Sequence, residues 1–270
     1  MSSGAARGKR LGQNFLVDRT AVERIVELLG PRPGEAVLEI GPGRGALTAP
    51  LISAAGRIGA VEVDDRLADG LAERFSEERL TLIRADVLQV DLAEVVIRLG
   101  HPAGTRLVLA GNLPYSISKP VAMHLVRGRE TVARAVLMFQ SEVANRITAA
   151  PGSRDYGPMS VLCGAAFRIR NVFDLGPGAF RPRPKVRSTV TSWIPRRDGA
   201  LTEENESAVR ACLSACFSRR RQTLRNNLRA ALGSDQRADR LLERAGLDGS
   251  LRAEVLPGEA FLELARWWAR

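Results

Sequence analysis

The chain has few of the residues that build metal centres and disulfide frameworks: three cysteines (Cys163, Cys212, Cys216) and two histidines (His101, His124) among 270 residues. They are too scattered for a zinc site or an extracellular disulfide scaffold, so no metal is expected. Cys212 and Cys216 share a helical face at i, i+4, where a packing role is expected, and the thiol count suits a reducing cytosol. Long apolar runs are also missing. No stretch of about 18 apolar residues could cross a bilayer, and the segment after Met1 lacks the apolar core of a signal peptide. A soluble cytoplasmic protein without a membrane partner is expected. Lysine is scarce as well: Lys9, Lys119 and Lys185 are three of forty basic residues, so arginine carries the positive charge.

Against those absences, 45% of the residues are hydrophobic, enough to fill a sizeable core in a large domain plus a small one. The net charge of +10 points to a polyanionic partner. Its distribution is uneven. Residues 34–167 carry 14 basic and 15 acidic groups and residues 198–270 carry 12 and 11, whereas residues 168–197 carry 8 and 1. The excess belongs to that segment and to residues 1–33, with 6 and 3.

After a polar tail (Met1 to Arg10), Val22, Ile25, Val26 and Leu29 predict a helix. Thr20 and Glu23 have capping-box spacing, and Gly30-Pro31 supplies the stop. Then strand, turn and helix alternate. Ala36 to Ile40 reads as a strand, Gly41-Pro42-Gly43-Arg44-Gly45 as a turn and Ala46 to Ala55 as a helix. Further β-rich runs recur at Ile58 to Val63, Leu80 to Arg84, Leu107 to Ala110 and Ala135 to Phe139. This rhythm predicts an α/β protein with a Rossmann-like, mostly parallel sheet. Ala165 to Val172 and Val186 to Ile194 predict an antiparallel pair at its edge. Beyond Asp198 the β signal stops, so a sheet domain over 1–198 and a helical domain over 199–270 are expected.

The strand ending at Ile40 runs into Gly41-x-Gly43-x-Gly45, a turn that lets backbone approach a ligand at the start of a helix. It departs from the dinucleotide fingerprint in the place of the third glycine. Glu62, about twenty residues on at the end of the next strand, is placed to bind ribose hydroxyls. Asp86 closes the third strand, placed to accept from an adenine amine. Ribose and adenine contacts without a phosphate-binding lysine motif fit S-adenosylmethionine better than a nucleotide.

Asn112-Leu113-Pro114-Tyr115 ends the fourth strand, at the crevice where open α/β sheets bind ligands. An aromatic amine is a poor nucleophile because its lone pair is delocalised into the ring. If the Asn112 side-chain oxygen and the Leu113 carbonyl accept its two N–H bonds, the nitrogen is drawn toward tetrahedral geometry and its lone pair is aimed. Pro114 restricts Leu113 to an extended conformation, and Tyr115 can stack on the base. This is the chemistry of nucleobase N-methylation, and it requires no general base. Downstream, Arg219, Arg220, Arg221 and Arg225 with Asn226 and Asn227 form a cluster suited to phosphates and sugars.

These motifs resemble the KsgA-type (RsmA-type) ribosomal RNA adenine dimethyltransferases, which are related to the Erm resistance methyltransferases, over nearly the whole chain. Gly12-Gln13-Asn14-Phe15-Leu16 is similar to the family's N-terminal motif, which implies that Asn14 and Leu16 contact the cofactor. Glu39 to Gly45, Glu62, Asp86 and Asn112 to Tyr115 resemble its cofactor and catalytic motifs, with Asn112 serving both. Gln140 to Arg146 and Asp155-Tyr156-Gly157 resemble the segments that follow. Phe180-x-Pro182-x-Pro184-Lys185-Val186-x-Ser188 is similar to the stretch whose Phe packs against the target base. The chain departs from the family at Leu175-Gly176-Pro177-Gly178, where Val-Pro-Pro is usual. It also has Arg187 in place of an acid and one extra residue in the Arg219 to Arg225 tail.

The resemblance implies S-adenosylmethionine-dependent N6,N6-dimethylation of two adjacent adenosines near the 3' end of 16S ribosomal RNA, performed by a monomer on the small-subunit precursor. Arg181, Arg183 and Lys185, together with Arg219, Arg220, Arg221 and Arg225, are expected to grip the RNA. The rivals are an Erm-like methylase of 23S RNA, a non-catalytic ribosome-assembly factor and a DNA methylase.

Overall fold

The structure, a computed structural model, describes residues 13–268; the expectations for the polar tail and for Gly12 lie outside the described residues. Nine strands are described: β1 (Phe15–Leu16), β2 (Ala36–Ile40), β3 (Ile58–Glu62), β4 (Leu80–Arg84), β5 (Leu107–Asn112), β6 (Val132–Gln140), β7 (Phe167–Leu175), β8 (Phe180–Arg181) and β9 (Ser188–Pro195). Seven of them form one sheet in the order β4-β3-β2-β5-β6-β9-β7. β4 through β6 pair in parallel, β9 runs antiparallel to β6, and the antiparallel pair lies at the edge as expected. Every residue of β2 and β3 is buried, Glu39 and Glu62 included, which is why apolar residues follow one another in these strands rather than alternating with polar ones.

The strand order reverses between β2 and β5: β3 and β4 extend the sheet to one side and β5 and β6 to the other. A crevice therefore opens at the carboxyl ends of β2 and β5. The first helix, α1 (Arg19–Leu29), is capped by Asp18, whose side chain accepts from the Ala21 N–H, and not by Thr20. Thr20 fails as a cap because the chain is already helical there. The Arg134 guanidinium, from β6, binds the last carbonyls of α1 at Leu29 and Gly30 and pairs with both oxygens of Glu35. That ion pair holds the Glu35 carboxyl below its usual range. Helices α2 (Thr48–Ala55), α3 (Asp65–Ala72), α4 (Leu92–Arg98) and α5 (Ser118–Arg127) make the crossovers. Next come α6 (Ser141–Thr148) and α7 (Pro158–Ala166).

The chain divides into two compact units, and the division corrects the expected domains. The sheet unit ends at Pro195, close to the expected boundary, but residues Asn145–Arg168 belong with Arg196–Arg270. The reason is packing: α7 lies against α8 (Glu203–Cys216) and α11 (Gly258–Trp268), and all three contribute to one helical core. There Phe217 meets Tyr156 edge-on at 6.2 Å and Phe261 at 5.2 Å. Cys212 and Cys216 are buried in the same core with their sulfurs 3.9 Å apart. Two more helices, α9 (Leu224–Leu232) and α10 (Asp235–Ala245), complete the unit. Among the described residues no helix is long and apolar enough to cross a membrane.

Candidate active site

The crevice holds a cavity of about 220 Å³, and the predicted cofactor and catalytic residues Asn14, Leu16, Gly41, Gly43, Glu62, Asp86, Asn112, Leu113, Pro114 and Tyr115 all line it. Gly41 and Asn112, 71 positions apart, meet here because β3 and β5 flank β2 in parallel and the carboxyl ends of all three strands face the same way.

The glycine turn is held by its own amides. The Gly41 N–H donates to the Val61 carbonyl (2.9 Å), that of Gly45 to Pro42 (2.9 Å), and that of Gly43 to Glu62 Oε2 (3.1 Å). The glycine amides therefore shape the turn and are not offered to a phosphate. Gly43 has φ 57°, and a Cβ there would lie 3.0 Å from the Phe15 ring, which in turn carries the Arg44 guanidinium 4.6 Å from its centre. Glycine is thus required both by the backbone and by the aromatic ring lying on it.

Glu62 is 3% exposed. Its Oε1 accepts from the Val63 and Asp64 N–H groups (2.9 and 3.0 Å), and Oε2 from Gly43. A carboxylate offers about four lone-pair directions, so one, on Oε2, is left for a ligand hydroxyl. Burial raises the Glu62 pKa, and the three backbone hydrogen bonds oppose that rise. Asp86 sits two residues beyond β4, with Oδ1 accepting from the Leu88 N–H (3.0 Å) as a helical cap. Its second oxygen stays available at the cavity.

Glu39 is a cavity residue to which reading of the sequence assigned no separate role. It is 2% exposed in β2, and the Thr48 hydroxyl donates to its Oε2 at 2.6 Å. Burial pushes its pKa up to about 7, with the Thr48 bond opposing and the nearby Glu62 charge adding to the rise. An acid within an apolar strand run was the available signal.

At the end of β5, the Asn112 side-chain Nδ2 donates to the Asn14 carbonyl at 3.0 Å. That bond orients the amide and leaves Oδ1 as an acceptor. The Leu113 N–H continues the ladder to Met138 (3.3 Å), while its carbonyl accepts no hydrogen bond among the described residues. The Pro114 carbonyl is occupied by the Ile117 N–H (3.1 Å). Two oxygens, Asn112 Oδ1 and Leu113 O, thus remain side by side in the chain beside the Tyr115 ring.

Phe180 lies apart from the cavity. It is 1% exposed and is a member of the core that includes Leu16, its partner across the β1–β8 pair. A ring packed on all sides offers no face to a base, so Phe180 supports the N-terminal segment in this structure. Among the expected RNA contacts, Arg183, Lys185, Arg219 and Arg221 are exposed. Arg181 is bonded to the Gly178 and Phe180 carbonyls. Arg220 pairs with Glu254 (2.9 Å) and also binds the Arg154 carbonyl, and Arg225 pairs with Asp239 (3.1 Å). Asn227 is buried and donates to the Cys216 and Arg219 carbonyls, so it organises the turn and does not face solvent.

A family model described as ribosomal RNA adenine dimethylase matches residues 5–270. The chain belongs to the ribosomal RNA adenine dimethylase family. It is 44% identical to ribosomal RNA small subunit methyltransferase A of Magnetococcus marinus over 97% of this chain and 92% of that one. It is 41% identical to the protein so named in Aromatoleum aromaticum, over 100% and 96%. Among solved structures it is similar to a dimethyladenosine transferase from Plasmodium falciparum, with TM-score 0.79, 25% identity and coverage of 93% and 95%. It is also similar to the 23S rRNA methyltransferase ErmE, with TM-score 0.69, 26% identity and coverage of 95% and 100%.

Methyltransferases of this family use S-adenosylmethionine, and the cavity suits it electrostatically. Glu62 and Asp86 line it against one base, Arg44, while Glu39, with its raised pKa, contributes only part of a charge. Such a lining favours a ligand carrying sulfonium and ammonium charges and repels a pyrophosphate.

Proposed function

We propose that this chain dimethylates N6 of two adjacent adenosines near the 3' end of 16S ribosomal RNA, acting as a monomer in the cytoplasm on the small-subunit precursor. The observation that carries the chemistry is the Asn112 amide, pinned through Nδ2 to the Asn14 carbonyl so that Oδ1 and the neighbouring Leu113 carbonyl are left to accept.

Glu62, through its remaining lone pair, would hold a ribose hydroxyl, Asp86 the adenine amine, and the Gly41 to Gly45 turn with Asn14 and Leu16 the rest of the methyl donor. Bound S-adenosylmethionine would supply an electrophilic methyl, transferred to nitrogen with the S–C electron pair left on sulfur and one proton released from nitrogen. The residues of the chain orient the amine. With both N–H bonds accepted by Asn112 Oδ1 and Leu113 O, the nitrogen lone pair points away from them, and Tyr115 holds the ring plane. Orientation of this kind can remove on the order of 7 kcal/mol or more from a barrier in favourable cases. The adenosine must be unpaired or flipped to enter. Exposed Arg183, Lys185, Arg219 and Arg221 are available for the RNA backbone, with Arg181, Arg220 and Arg225 held by intramolecular bonds that RNA phosphates would have to share.

The test supplies tritiated donor with undermodified small subunits, naked 23S RNA and DNA. Label in small-subunit adenosines, recovered as dimethyladenosine, is the expected result. Label only in 23S RNA would favour an Erm-like enzyme, label only in DNA a DNA methylase, and no label anywhere a non-catalytic assembly factor.

A further inference from the structure

Ser188 is the first residue of β9, is buried, and has its Oγ 3.1 Å from the Tyr115 hydroxyl. Its position is over-determined. Ser188 stands in register with Gln140 at the end of β6, and the Arg187 carbonyl just before it accepts from the Ser141 N–H (3.0 Å). Just after it, Thr189 Oγ1 donates to Asp174 Oδ1 (2.6 Å) and lies 2.9 Å from Ser141 Oγ. The hydroxyl of a half-buried ring at the cavity is therefore tied to a fixed point two strands away from Asn112.

Stacking alone does not require that hydroxyl, because phenylalanine presents the same π face. What the Ser188 contact adds is a fixed ring plane. We propose that Ser188 is a positioning residue that, through Tyr115, determines whether the enzyme completes the second methyl transfer. In the first transfer the amine presents two N–H groups, one for Asn112 Oδ1 and one for the Leu113 carbonyl. Each transfer replaces one N–H by N–CH₃ and releases one proton, so the monomethyl product returns with a single N–H. One of the two hydrogen bonds that fixed the base is then lost, and stacking must supply a larger part of its orientation. A loosened Tyr115 ring consequently slows the second transfer more than the first.

The experiment uses full-length enzyme with undermodified small subunits and measures N6-methyl and N6,N6-dimethyladenosine by mass spectrometry across a single-turnover time course. Wild type is compared with Ser188→Ala, Tyr115→Phe and the double variant, with thermal unfolding of each recorded. The expected result is a rise of about fivefold or more in the ratio of monomethyl to dimethyl product for either single variant, and no further rise in the double, since both remove the same contact. Tyr115→Phe leaves β9 untouched, so it decides the matter even if Ser188→Ala folds poorly. A wild-type product ratio in Tyr115→Phe, or multiplying effects in the double variant, would overturn the proposal. Absence of any methyladenosine with wild type would instead overturn the adenine chemistry on which the role of Ser188 rests.

Discussion

The side-chain amide of Asn112 is bonded to the backbone carbonyl of Asn14, 3.0 Å away and 98 positions earlier in the chain. The acceptor belongs to the N-terminal segment, which has its own anchorage. Phe15 and Leu16 pair with Arg181 and Phe180, and the Val17 N–H donates to Ala179 at 2.8 Å. Removing the Asn112 side chain thus deletes an acceptor for the substrate without releasing the segment. Asn112→Ala is expected to lower the transfer rate about a thousandfold, comparable to loss of a preorganised transition-state contact. Donor affinity, measured by calorimetry, should stay within a few fold. Normal folding with donor binding lost would show that the Asn112 side chain serves the cofactor first.

Gly43→Ala should weaken donor binding at least about tenfold. A left-handed backbone costs a side chain roughly 1–2 kcal/mol, and the new methyl must also displace Phe15 from 3.0 Å. Gly56→Ala is the control: it shares a positive φ (83°) but meets nothing within 4 Å. It should lose stability while keeping donor affinity, and equal loss of affinity in both variants would remove Phe15 from the explanation.

Glu39 makes stability depend on pH. Its pKa rises from 4.5 to about 7 on folding, so between those values the folded chain holds more protons than the unfolded one. Stability is therefore lost as pH climbs through that window and levels off above it. For a fully buried group this amounts to about 3 kcal/mol. Glu39→Gln, whose amide oxygen can still accept from Thr48, should gain stability relative to wild type by that order between pH 5 and pH 8 in urea unfolding without donor. Parallel pH profiles would show that the Glu39 carboxyl titrates in its ordinary range.

Phe180→Ala should cost about 3–5 kcal/mol of stability, the usual result of emptying a core site of an aromatic ring. Because Phe180 backs Leu16, donor affinity should fall with it. An unchanged melting temperature combined with a purely kinetic defect would instead place the ring against the substrate.

The sheet was readable because buried parallel strands are rich in successive apolar residues, and because the acids at Glu62 and Asp86 recur at strand ends. The Asn112 motif was readable because Pro114 and Tyr115 make sense together only at such an end. Other features depended on partners that spacing does not reveal. Asn227 resembles a surface amide in an arginine-rich run, yet its N–H groups serve the carbonyls of Cys216 and Arg219. Phe180 lies in the most basic stretch of the chain, but its register opposite Leu16 turns it inward. Residues Asn145–Arg168 follow the sheet strands in sequence and still join the helical unit, because α7 buries its apolar surface there.

The pairing of β1 with β8 also sets an order of events. One wall of the donor cavity is residues 13–16, and what fastens that wall, through its own strand and the Val17 N–H just beyond it, is residues 179–181. A ribosome making this chain must therefore translate past Arg181 before the first-made part of the site can settle, so the ability to hold a methyl donor arises late in synthesis.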